Sequence, residues 1–104
     1  MTISRHWKGV AKPKEADKYI HHLQSDTFPK LAKINGFISA SILRRSIRNG
    51  TEFLIVTTWQ SIEAIRRFAG ESASTAVVPP SVQAMMVEYD TEVAHYEIVE
   101  AYSG

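Results

Sequence analysis

The chain of 104 residues contains four histidines and no cysteine. The missing thiol excludes disulfides, thiolate nucleophiles, iron–sulfur ligation and cysteine-type zinc sites together, so any chemistry falls to imidazole, carboxylate, phenol, guanidinium or a borrowed cofactor. Histidine is the side chain whose ordinary pKa lies nearest working pH, which directs attention to His6 near the start of the chain and His95 near its end as candidate catalytic groups. Trp7 follows His6, and Tyr96 and Glu97 follow His95. Trp7, Trp59, Phe68 and Tyr96 are the candidate walls of a substrate pocket, with the Tyr96 hydroxyl able to donate to a ligand. Each has a structural alternative: a strand histidine can sit hydrogen-bonded at a sheet surface or subunit seam, and a large aromatic can simply be core. His21 and His22 are adjacent, so on a helix they point about 100° apart and do not form the i, i+4 metal-binding pair. They read as a solvated helix face, and no metal site is expected. Arg44, Arg45, Arg48, Arg66 and Arg67 read as exposed charge that discourages edge aggregation, with an anion clamp as the alternative.

These groups need a scaffold, and composition bounds it. Hydrophobic residues make up 44% and charged residues 22%, the mixture of one ordinary globular domain, taken here as residues 1–104. Twelve Lys and Arg against eleven Asp and Glu leave no excess positive charge for a nucleic-acid backbone, so no nucleic-acid partner is expected. No apolar run approaches the roughly 20 residues of a membrane span, and Met1 to Trp7 lacks the apolar centre of a signal peptide; the expectation is a cytoplasmic protein with no membrane partner.

Alternation over Ile3 to Ala11 predicts a strand. Lys12-Pro13-Lys14 breaks it, and Ala16, Tyr19, Ile20, Leu23, Phe28, Leu31 and Ile34 recur at helical spacing up to Asn35-Gly36. Pro29 inside that pattern predicts a kink or restart near residues 26–28. Phe37 to Ile47 and Thr51 to Trp59 read as strands joined by Arg48-Asn49-Gly50, a hairpin. Ser61 caps a helix that runs through Phe68 to Gly70. Ser81 to Val87 has room for a turn or two of helix, and Val93 to Tyr102 alternates as a last strand. The order β-α-β-β-α-β is the split βαβ, ferredoxin-like α+β arrangement: one four-stranded antiparallel sheet with both helices on one face. The other face carries apolar residues whichever parity is chosen, so two sheets are expected to pack face to face in a homodimer. First and last strands are neighbours in this order, and register decides whether His6 and His95 share a face.

Phe53-Leu54-Ile55-Val56-Thr57-Thr58-Trp59 followed by Ser61-Ile62-Glu63-Ala64-Ile65-Arg66-Arg67-Phe68 resembles the antibiotic biosynthesis monooxygenase-like group of the dimeric α+β barrel superfamily. Trp7-Lys8-Gly9, Ala76 to Pro80 and His95-Tyr96-Glu97 are similar to a subgroup of small bacterial proteins of this type. The resemblance implies a dimer whose two sheets form a barrel, with a pocket in each protomer between sheet and helices. The haem-degrading branch places an Asn on the first strand, a Trp on the second helix and an axial His shortly after it. Here Phe68 stands at the Trp position, His6 or Trp7 stands near the Asn position, and no histidine occurs between His22 and His95. The resemblance therefore implies the other branch: oxygenation of a small hydrophobic or aromatic substrate with no cofactor, the protein supplying proton transfer and a water-poor cavity. In that branch Trp59 is the position carried across to the pocket. The alternative is a non-catalytic ligand-binding barrel.

Overall fold

The computed structural model describes residues 1–104. β1 (Ile3–Ala11) is its central strand. Along its whole length it pairs antiparallel with β3 (Gly50–Trp59), and β2 (Phe37–Ile47) lies antiparallel beyond β3. The other edge of β1 is shared: β4 (Met86–Tyr89) takes Gly9 to Ala11, and β5 (Ala94–Glu97) takes Ile3 to His6. The strand order β2-β3-β1-β4, with β5 beside β1, is the expected α+β ferredoxin-like arrangement, an open antiparallel sheet.

The sheet has five strands rather than four, and the expected last strand over Val93 to Tyr102 is both shorter and preceded by an extra one. The cause is an excursion at residues 90–93. Asp90 still donates its N–H to Lys8 O at 2.9 Å, but the next residues leave β1 for the segment after α3: Ala76 N–H donates to Thr91 O at 2.9 Å and Val93 N–H to Ser74 O at 2.8 Å. What would be one edge strand becomes two, and residues 98–102 continue without strand structure.

The hairpin forms as expected, with Ile47 opposite Gly50. Odd positions of β1 and β3 face the helices. Ala11, Phe53, Ile55 and Trp59 are buried there. The first helical stretch comprises α1 (Ala16–His22), a π-helical turn over Leu23–Thr27, and α2 (Phe28–Ala32). The expected break is thus a π turn, with a physical cause at Pro29. Proline has no N–H to give the preceding turn and its ring crowds that turn, so one residue is looped in. Phe28 donates to Leu23 O across the wider ring, and Ser25 Oγ donates to His21 O at 2.7 Å. α3 (Ile62–Ala69) starts where Ser61 Oγ accepts the Ala64 N–H at 3.2 Å. It lies so close to the preceding loop that a Cβ on Gly36, at φ +99°, would fall 2.5 Å from Ala64 Cβ. α4 (Pro80–Gln83) is a single turn before β4.

Even positions, among them His6, Leu54 and Val56, form the sheet's other face together with Leu43 and Tyr96. Leu43 and Tyr96 are 47% and 58% exposed there. No helix is long and apolar enough to cross a membrane.

Candidate substrate pocket

Between the helix-facing side of the sheet and the first helical stretch lies a cavity. Its volume is about 80 Å³. Trp7, Ile55 and Thr57 form its floor; Tyr19, Leu23, Phe28 and Leu31 form its roof; Phe68 closes one end, and Val77, Pro79 and Val93 stand near its rim. The π turn belongs to the roof, a place where such turns recur at functional sites.

Arg5 is the cavity's fixed charge. It is 4% exposed, on the same face as Trp7, and Phe68 lies under its guanidinium at 5.6 Å from ring centre to Cζ. Nη1 donates to Ala73 O and to His95 Nε2 at 3.1 Å, and Nη2 donates to Thr75 O at 2.9 Å. The excursion at residues 90–93, which pairs with residues 74–76, is what holds those carbonyls over Arg5. Burial lowers the guanidinium pKa from 12.5 to about 10, so it remains charged at neutral pH. Burial and then the Arg5 charge hold the His95 imidazole below the ordinary histidine range, which keeps its Nε2 lone pair available to accept.

The candidate residues separate by face. His95 stands opposite Arg5 on the helix-facing side, behind the guanidinium rather than on the cavity wall. His6 stands opposite Val56 on the other side of the sheet, where its Nε2 lies 2.7 Å from Ser4 Oγ and its ring 4.9 Å from that of Tyr96. The two histidines therefore do not meet, because their positions on paired strands have opposite parity. Tyr96 goes with His6 and is outside the cavity.

Trp7 lines the cavity, its ring lying across Gly9, with Nε1 donating to Asp90 O at 3.0 Å. Phe68 also lines it. Trp59 is one layer back: fully buried, stacked 6.1 Å behind Phe68 and edge-on to Phe37 at 5.3 Å. Its Nε1 donates to Thr57 Oγ1 at 2.9 Å, so the wall residue is Thr57 and the tryptophan fixes it.

The reading of His22 as a solvated face is corrected. Its imidazole lines the cavity, Nε2 is buried without a hydrogen-bond partner, and Asp26 Oδ2 lies 3.9 Å away, one turn along. Tyr19, 3% exposed, has its hydroxyl pKa raised by burial and so stays a neutral phenol. Arg5, His22, Thr57 and Tyr19 are thus the pocket groups that residue type alone had not singled out. For Arg5 and His22 the signal was present as spacing. Arg5 shares parity with Ile3, Trp7 and Ala11, and His22 follows Tyr19 by three positions on the apolar stripe.

The family profile for antibiotic biosynthesis monooxygenases matches residues 8–79, most of the chain, from the end of β1 through β2, β3 and α3. The chain belongs to the antibiotic biosynthesis monooxygenase family. No curated protein sequence matches it significantly. Among solved structures, one similar in fold is a mutant of SnoaB, a cofactor-independent oxygenase from Streptomyces nogalater: TM-score 0.66, 12% identity, covering 96% of this chain and 95% of that one. A monooxygenase from the gene ActVA-Orf6 of Streptomyces coelicolor, in complex with nanaomycin D, gives TM-score 0.62 and 16% identity over 99% and 91% of the two chains. The heme-degrader MhuD from Mycobacterium tuberculosis, with two hemes bound in its active site, gives 0.60 and 16% over 99% and 100%. At these identities the likeness is one of fold.

Proposed function

We propose that this family member is a homodimeric, cofactor-independent monooxygenase acting on a small hydrophobic, aromatic substrate held between sheet and helices. The observation that carries the reading is the cavity itself: apolar and aromatic walls with one buried cation and one unpartnered imidazole. An activated methylene compound of the anthrone kind loses a proton to a base, and its anion passes one electron to dioxygen. The two radicals join as a peroxide anion, which takes back the proton from the protonated base to become a hydroperoxide and then loses water to leave a ketone, so that R₂CH₂ and O₂ become R₂C=O and H₂O. The cavity supports each protein task in that sequence. Arg5 holds the substrate's negative charge in a site of low polarity. His22 is the histidine on the cavity wall and takes up the proton; Asp26, 3.9 Å from it, stabilises the imidazolium. Phe68, in place of the tryptophan of the haem-degrading branch, supports this reading over that one.

Oxygen consumption with an anthrone is the test. His22→Gln is expected to lower kcat by about 10²-fold, the scale of one general base, with little change in binding. No oxygen uptake by the wild type across a panel of anthrones and phenols, with a ligand bound and recovered unchanged, would replace the oxygenase by the non-catalytic binding barrel.

A further inference from the structure

A guanidinium has five N–H donors in a rigid plane. Arg5 spends three of them: both on Nη1, to Ala73 O and His95 Nε2, and one on Nη2, to Thr75 O. Nε makes no hydrogen bond and Nη2 has one donor to spare, and a guanidinium's Nε–H and the Nη2–H on its side are the pair that matches the two oxygens of a carboxylate. Arg5 forms no ion pair: the chain's salt bridges use Arg44, Arg45, Arg66, Lys18, Lys30 and His22. No Asp or Glu lines the cavity. A buried charge without a counterion is costly, and here the protein supplies only neutral acceptors for it.

We infer that the ligand brings the missing charge: the cavity takes an aromatic carboxylate, its ring between Trp7 and the helical roof and its carboxylate on the free edge of Arg5. This rests on the cavity being the ligand site proposed above and names the chemical class of its occupant. His95 acts behind Arg5 as a positioning residue, since its acceptor holds Nη1.

The test compares 2-naphthoate with its uncharged isostere 2-naphthamide by calorimetry on the wild-type protein, with oxygen uptake recorded separately. The carboxylate is expected to bind at least about tenfold more tightly, the scale of a charge-assisted hydrogen bond. Arg5→Lys keeps the charge without the fork and is expected to retain only part of that preference, and Arg5→Met none. Equal affinity for the two ligands in the wild type overturns the inference, as does binding of neither or an undiminished preference in a folded Arg5→Met protein. Because the wild-type comparison needs no variant, a failure of Arg5→Met to fold leaves the test intact. Preference for the carboxylate without oxygen uptake on any substrate supports the anion socket and removes the oxygenase reading.

Discussion

Replacing Thr57 with valine keeps the side chain's shape and removes one oxygen. That oxygen accepts the indole N–H of Trp59 at 2.9 Å, and Trp59 has no exposed surface through which water could substitute. The variant therefore leaves a buried donor without a partner, at a cost of about 1–3 kcal/mol, reduced by the small gain from burying a methyl in place of a hydroxyl. A net loss of about 2 kcal/mol in a domain of this size lowers Tm by roughly 8–16 °C, at about 4–8 °C per kcal/mol. Thermal unfolding followed by calorimetry measures it, and a second background isolates the cause. In Trp59→Phe protein the donor is gone, so adding Thr57→Val should cost nothing or stabilise slightly, giving a coupling energy of about 2 kcal/mol across the pair. Thr57→Ser retains the acceptor and should lose less than Thr57→Val. Equal destabilisation by Thr57→Val in both backgrounds would refute the reasoning, since the loss would then come from packing of the strand and not from the orphaned indole.

A Cβ on Gly9 would stand 2.4 Å from Trp7 Cη2, so Gly9→Ala should force the indole off the strand, destabilise by about 1–3 kcal/mol and change Trp emission; unchanged Tm and emission would contradict the packing described. His95 titrates below its ordinary value of 6.5 in the folded chain. The unfolded chain then binds more protons, so this residue's contribution to stability falls as pH drops below about 6.5 and levels off once the folded group also protonates. Tm measured from pH 7.5 to 5 should show a shallower decline in His95→Gln than in the wild type, and parallel curves would remove the burial of His95 beside Arg5 as a source of the decline. If the bare sheet face is the dimer seam, light scattering should give twice the 11.7 kDa chain mass for the wild type and the single mass for Leu43→Asp, with far-UV circular dichroism unchanged. A monomeric wild type would sink that assembly.

The order of elements was legible because it rests on local signals: the unbroken apolar run Phe53 to Val56, the Arg48 to Gly50 turn, the Ser61 cap and the break that Pro29 enforces. The divided edge was not legible, since residues 90–93 leave β1 only because residues 74–76 offer a second set of backbone partners, a choice made by chain segments far apart in sequence. The site shows a sharper separation between what a residue is and where it stands. Looking for imidazoles on strands selected His6 and His95, and the sheet's period of two then put them on opposite faces. Looking for polarity on an apolar stripe selects different residues: Arg5 among Ile3, Trp7 and Ala11, and His22 between Tyr19 and Leu23. A charge in such a position has no solvent face to turn to, and the fold must bring it acceptors or a ligand must bring it a counter-charge. Here backbone carbonyls and His95 meet three of five donors, and Arg5 lines the apolar cavity between sheet and helices. On the proposed anion socket, His95 would serve the site without reaching the cavity: a neutral imidazole behind the guanidinium holds it without cancelling its charge, whereas a carboxylate in that place would satisfy Arg5 and close the socket.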